Sequence, residues 1–225
     1  LVTHKSGSTA LQHTMRETFM RTISGLFDSH ADATAALDAL VAAGFPRDDI
    51  SIVANNWDGA LADQATNDVQ ESTVDGIGTG AGLGAALGGA GGLLAGLGAL
   101  VIPGLGPVVA GGWLLSTAIG AVAGAAVGGA AGGIVGAMME AGVPEHEAHV
   151  YAEGVRRGGT LVTVRAEESR ASLAEDILND ARRVDVTGRR SDYEAEGWDG
   201  FDEAASPFTS EQIRDYREVS GRYGV

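Results

Sequence analysis

The sequence predicts an α+β fold, a small ferredoxin-like sandwich split by an inserted apolar Gly/Ala-rich α-helical hairpin. Three observations predict it. A strand–helix–strand pattern occupies residues 20–54, and a helix–strand–helix pattern occupies residues 140–187. Between them, the 64 residues from 76 to 139 hold no Asp, Glu, Lys, Arg or His. Neither patterned half has enough strands or apolar area to fold alone, and a hairpin insertion returns the chain to the same side, where one joint sheet can form.

In the first half, Arg21–Phe27 reads as a strand carrying Ile23, Leu26 and Phe27. Ser29 followed by Asp32 marks a helix start. Ala33, Ala36, Leu37, Leu40 and Val41 then follow the i, i+3, i+4, i+7, i+8 spacing of a buried helical face. Gly44 with Phe45-Pro46 stops that helix, and the β-branched run Ile50–Ala54 is a second strand. Residues 55–75 carry five acids and no Lys or Arg, which predicts a solvated acidic connector.

The charge-free block, residues 76–139, holds 22 of the 35 glycines. It divides into two apolar arms, 76–102 and 108–139, around the turn Pro103-Gly104-Leu105-Gly106-Pro107. Each arm exceeds the 18 or so apolar residues that suggest a membrane span. The glycines recur every fourth residue: Gly80, Gly84, Gly88, Gly92 and Gly96 in the first arm, Gly120, Gly124, Gly128, Gly132 and Gly136 in the second. That spacing places them on one helical face, where backbones approach closely. Each helical glycine costs about 1 kcal/mol relative to alanine, so these arms must be buried in lipid, against each other, or in an oligomer. Two environments fit: a bilayer, or the core of a homo-oligomer. No Lys or Arg closely flanks the arms, and the turn is without polar residues, which supports the second.

After the block, Pro144 opens a helix whose face is Ala148, Tyr151 and Val155, and Gly158-Gly159 closes it. Thr160–Arg165 is the strongest strand signal in the chain. Ser172 and Glu175 mark a further helix with Leu173, Ile177 and Leu178, and Val184–Thr187 reads as a final edge strand. Residues 188–225 form an acidic tail, expected to be mostly disordered, with a short helix starting at Thr209-x-x-Gln212. Its Tyr193, Trp198, Phe201 and Phe208 are candidates to dock on the domain or on an unidentified protein partner. Residues 1–19 read as a disordered leader outside the fold, with Met20 as the natural start.

Composition excludes several function classes. The 15 basic against 30 acidic residues give a net charge of −15, which disfavours nucleic acid. The absence of cysteine removes thiolate nucleophiles, disulfides and cysteine metal sites. Gly80-x-Gly82-x-x-Ala85 matches the looser dinucleotide pattern, but no strand leads into it and no ribose-binding acid follows. Neither a Gly-x-x-x-x-Gly-Lys loop nor a Gly-x-Ser-x-Gly elbow occurs. His146 and His149 stand three residues apart among Glu145, Glu147 and Glu153, one residue short of the protease zinc spacing, and read as solvated surface histidines. Arg156 and Arg157 suit a helix C-terminus or an anion. No catalytic residue, cofactor or metal site is expected.

Gly25-Leu-Phe-Asp, Ala43-Gly-Phe and Ile50-Ser-Ile-Val resemble the opening of the bacterial general-stress (YflT-type) family. The apolar block with Ile102-Pro-Gly-Leu-Gly-Pro-Val, then Gly142-Val-Pro-Glu and Gly158-Gly-Thr-Leu-Val-Thr-Val, is similar to its low-temperature-induced relatives. The resemblance spans about residues 22–187 and implies a stress-induced, membrane-associated protein without catalytic activity. The expectation is thus a non-enzymatic stress-response protein held at the inner membrane by its glycine-zipper hairpin. Both chain ends would be cytoplasmic, and lipid and further copies of the chain would be its partners. The alternative is a cytoplasmic homo-oligomeric scaffold or interaction module with the hairpin in its core.

Overall fold

The computed structural model describes residues 20–59, 61, 98–114, 117 and 133–223. Strand β1 (Met20–Phe27) leads through helix α1 (His30–Ala42) and a 3-10 turn at Arg47–Asp49 to strand β2 (Ile50–Asn55). Strands β3 (Gly98–Ile102) and β4 (Gly106–Gly112) come next, then helices α2 (Gly133–Glu140) and α3 (Glu145–Arg156). Strand β5 (Thr160–Glu167) is followed by helices α4 (Glu168–Asp180), α5 (Val186–Ala195) and α6 (Ser210–Tyr223).

The strands form one antiparallel sheet in the order β1-β5-β2-β4-β3. β5 lies between the two strands of the first half, with Phe27 opposite Thr160 on one side and Ala54 opposite Thr160 on the other. Alternation along each strand sends Ile23, Phe27, Ile50, Ile52, Val162 and Val164 to one face, where Leu37 and Leu40 of α1 and Leu178 of α4 bury them. Leu26, Val53 and Leu161 point to the other face and pack with Tyr151 and Val155 of α3 and Ile134 and Met138 of α2. Helices therefore cover both faces, and every residue of β2 is buried. The mixed α+β class is as the sequence predicts. The arrangement differs from a ferredoxin-like sandwich in its five-strand order and in its second helical layer.

The largest correction concerns the charge-free block. Its turn is a turn between two strands, not between two helices: β3 and β4 pair from Ile102 opposite Gly106 outward to Gly98 opposite Ala110. Pro103 and Gly104 occupy the central positions of a β-turn closed by Leu105 N–H donating to Ile102 O at 3.1 Å, and Gly104 takes φ +76°. Those residues suit a type II turn. β4 pairs with β2, Val53 opposite Ala110, so the β-branched pair Val108-Val109 extends a sheet that already exists. An apolar run without periodicity is compatible with helix or strand, and an available sheet edge decided for strand. The remainder of both predicted arms, apart from α2 and isolated positions, lies outside the described residues.

Smaller corrections follow the same logic. α4 starts at Glu168 rather than at Ser172 and buries Ala171, Ala174 and Leu178, leaving Leu173 44% exposed. The predicted edge strand Val184–Thr187 is instead the start of α5, because Asp185 accepts hydrogen bonds from Thr187 and Gly188 N–H and caps a helix there.

One buried amide ties the layers together. Asn55 Nδ2 donates to Val155 O at 2.9 Å and reaches Arg156 O and Leu105 O, each at 3.4 Å. It satisfies carbonyls at the end of α3 that have no partner within the helix. Asn55→Leu is expected to lower stability by about 2 kcal/mol, read from the shift of the urea midpoint at unchanged slope.

Candidate functional site

The tail expected to be disordered is folded onto the domain, and the glycines of the β3–β4 turn are what admit it. A Cβ on Gly104 would stand 2.8 Å from the Phe201 ring and 2.9 Å from Asp202 O, and one on Gly106 would stand 2.9 Å from Pro207. Phe201 is buried against Leu105 and Ile102 in the core that α3 covers. His149 Nδ1 accepts the Phe201 N–H at 3.0 Å, while His146 is exposed, so the two histidines are put to different uses. Among the described residues no group of three His, Asp or Glu is placed to hold a metal.

The C-terminal end of α3 forms a clasp for this tail. The Glu153 carboxylate is 1% exposed and receives Arg157 Nε at 2.7 Å and Arg156 Nη1 at 3.4 Å. Arg157 Nη1 also donates to Glu196 just beyond α5, at 2.5 Å. Its guanidinium lies 4.2 Å from the Tyr193 ring centroid and 4.9 Å from that of Tyr216. Burial works to lower the Arg157 pKa, but the hydrogen bonds to Glu196 and Glu153 outweigh it and hold the group charged. Arg156 stacks on Phe208 at 4.6 Å and donates to Ser206 O at 2.9 Å. The anion that these two arginines suggest in the sequence is therefore internal.

Helix α6 completes the clasp. Its predicted start is correct and is a reciprocal cap: Thr209 N–H donates to Gln212 Oε1 at 2.9 Å, and Gln212 N–H to Thr209 Oγ1 at 3.2 Å. The helix runs to Tyr223 rather than remaining short. Ile213 is buried against Gly158, and Arg217 Nη1 donates to Gly158 O at 2.9 Å. The four tail aromatics thus dock in cis: Tyr193 and Phe201 are buried, Trp198 packs edge-to-face on Tyr193 at 5.5 Å, and Phe208 lies under Arg156.

A second feature is a groove of about 700 Å³ along the outer edge of β1. It is lined by β1 from Met20 to Ser24, by Glu147 and Tyr151 of α3, by Glu175 and Asn179 of α4, and by Arg183 to Val186. Ser24 O accepts from Tyr151 Oη and Arg183 Nη1, each at 3.3 Å, and Leu26 O accepts from Val184 N–H at 2.8 Å. The outer edge of β1 is thereby partly closed to a further strand. Inward from the groove, Ser24, Thr163 and Ser51 stand in one cross-strand row, and Ser24 Oγ and Thr163 Oγ1 are buried without hydrogen-bond partners among the described residues. Sequence reasoning missed this row and the groove, because the row is assembled from three strands and no local spacing marks it.

Of the sequence-predicted site residues, Pro103, Gly104, Gly106 and Pro107 form the turn that meets the tail. Gly136 is half-buried in α2. Gly80, Gly84, Gly88, Gly92, Gly96, Gly120, Gly124, Gly128 and Gly132 lie outside the described residues. No family model, no curated protein and no solved structure matches this chain.

Proposed function

We propose that this protein is a non-enzymatic assembly module whose copies associate through the apolar Gly/Ala block. The observation that carries this reading is the place of β3 and β4. They come from the middle of the charge-free block and extend the sheet, β4 beside β2 and β3 beyond it at the edge, with Val101 75% exposed. A charge-free stretch anchored on a sheet edge needs apolar surface to pack on, and a second copy offers the same surface. The four-residue spacing of the glycines in the rest of the block would suit such a close approach. A bacterial stress setting is part of the proposal and rests on the resemblance of segments such as Gly25–Asp28 and Gly158–Val164.

A second reading, insertion of the block into the inner membrane with both chain ends cytoplasmic, is supported by the length of the charge-free stretch. No helix among the described residues is long and apolar enough to cross a membrane. Fractionation of the full chain with carbonate and detergent washes, followed by sizing, separates the readings. A discrete oligomer recovered without detergent is the expected result. Gly128→Leu is expected to shift it toward monomer more than Leu87→Ile does; equal effects would make the glycine register incidental. Retention through carbonate with release only by detergent would establish the membrane reading, and a detergent-free monomer would refute both.

A further inference from the structure

The groove on the outer edge of β1 carries a separate inference. Most charges lining it are already engaged. Arg21 pairs with Glu175 at 3.1 Å and with Glu168 at 3.6 Å, and Asp185 caps α5. Two opposite charges on the groove wall neither pair with a charge nor cap a helix. Arg183 is half-buried, and its guanidinium donates only to Ser24 O among the described residues, with no carboxylate partner. Glu147, on the first turn of α3, is half-buried within hydrogen-bonding reach of the Tyr151 hydroxyl, and has no arginine, lysine or histidine partner among the described residues. Both line the same 700 Å³ groove, and no ion pair joins them.

Their separation is held by the fold. Arg183 is anchored over the strand edge by its bond to Ser24 O, and its stem crosses Gly25, where a Cβ would stand 3.1 Å from Arg183 Cδ. Glu147 is fixed by α3, whose Tyr151 is tied to the same carbonyl. The guanidinium has only a neutral carbonyl and the carboxylate only a neutral hydroxyl as partner, so each can still take a counter-charge from a ligand in the groove they share. An anion alone would satisfy only Arg183, and a cation alone only Glu147. An extended peptide strand fits less well, because Ser24 O and Leu26 O are already taken.

We propose that this groove binds a small zwitterion of the free amino acid class. Its carboxylate is held by Arg183 and its ammonium by Glu147, and the volume falls within the range of roughly 300–1,000 Å³ usual for small-molecule sites. The test is isothermal titration of the full chain with each of the twenty free amino acids, with acetate and methylammonium as single-charge probes.

At least one amino acid is expected to bind with Kd below about 1 mM. Arg183→Gln and Glu147→Gln are each expected to weaken it about tenfold or more, as loss of a charge-assisted pair does. Arg190→Gln, whose partner is Glu194 on α5, should leave binding unchanged. Circular dichroism of each unliganded variant reads folding separately, and Glu147→Gln keeps the size and shape of the side chain. The proposal is overturned if none of the twenty binds at about 10 mM, if acetate or methylammonium binds as tightly as any amino acid, or if a folded Glu147→Gln variant binds unchanged.

Discussion

Arg157→Met is expected to lower stability by about 3 kcal/mol or more and to release the carboxy-terminal clasp. The reason is the asymmetry of buried charge: taking away one partner leaves the other in a low-dielectric site without its hydrogen bonds. Glu153, 1% exposed, would keep only Arg156 at 3.4 Å. Glu196 would lose its partner, and the Tyr193 and Tyr216 rings would lose the cation stacked on them. Two measurements check this. Urea unfolding gives the stability loss, and limited proteolysis should cut the variant between residues 196 and 210 under conditions that spare the parent chain. Adding Glu153→Gln to Arg157→Met is expected to recover part of the loss, because a neutral amide no longer needs a cation. A loss below about 1 kcal/mol would mean that Glu153 pairs adequately with Arg156 alone.

The second large effect is expected at Gly112. It takes φ +91° at the end of β4, opposite Ser51, and a Cβ there would meet Ile50 O and Ser51 Cα, the latter at 2.7 Å. Neither is the free end of a side chain, so the strand itself must move. Gly112→Ala is therefore expected to cost about 3 kcal/mol or more, combining backbone strain with displacement of β4 from β2. Leu114 N–H donating to Ser51 Oγ at 2.8 Å and Trp113 Nε1–H donating to Asp49 O at 3.1 Å would be lost with it. Gly142→Ala is the matched control: its φ is +90°, and nothing among the described residues lies within 4 Å of the added Cβ. Only the conformational term remains there, about 1–2 kcal/mol. Equal urea midpoints for the two variants would show that the close approach of β4 to β2 contributes nothing.

Much of the fold was legible where a residue's neighbours in sequence carry the signal. The face Ala33, Ala36, Leu37 and Leu40 is buried as its helical spacing requires, and Gly44 stops α1 through Gly44 N–H to Val41 O and Phe45 N–H to Leu40 O. The strand pattern of Thr160–Arg165 is buried on both faces because helices lie on both. The Thr209–Gln212 pair announced α6 because a reciprocal cap is complete within four residues.

The candidate site was legible only as unassigned parts. Arg156, Arg157 and the tail aromatics each stand out in the sequence, but their partners are distant in the chain: Glu196 with Arg157, Phe208 with Arg156, Phe201 with the Gly104 turn. Glu147 is on the first turn of α3 and Arg183 in the loop between α4 and α5, and nothing in their spacing sets them on one groove.

The sequence by itself determined the α+β class, the helices that begin at Ser29 and Pro144, and the turn at Pro103–Pro107. Periodicity, caps and turn residues act within one or two turns of chain, so these features need no distant partner. Tertiary structure alone decided that Gly98–Ile102 and Gly106–Gly112 are strands, that Val186 opens a helix, and that the tail folds back on α3. A strand is completed by hydrogen bonds to another segment, and an apolar run without periodicity is equally ready to be helix or strand. The outer edge of β2 supplied the missing donors and acceptors for β4, and the buried Glu153 supplied the charge around which the tail closes.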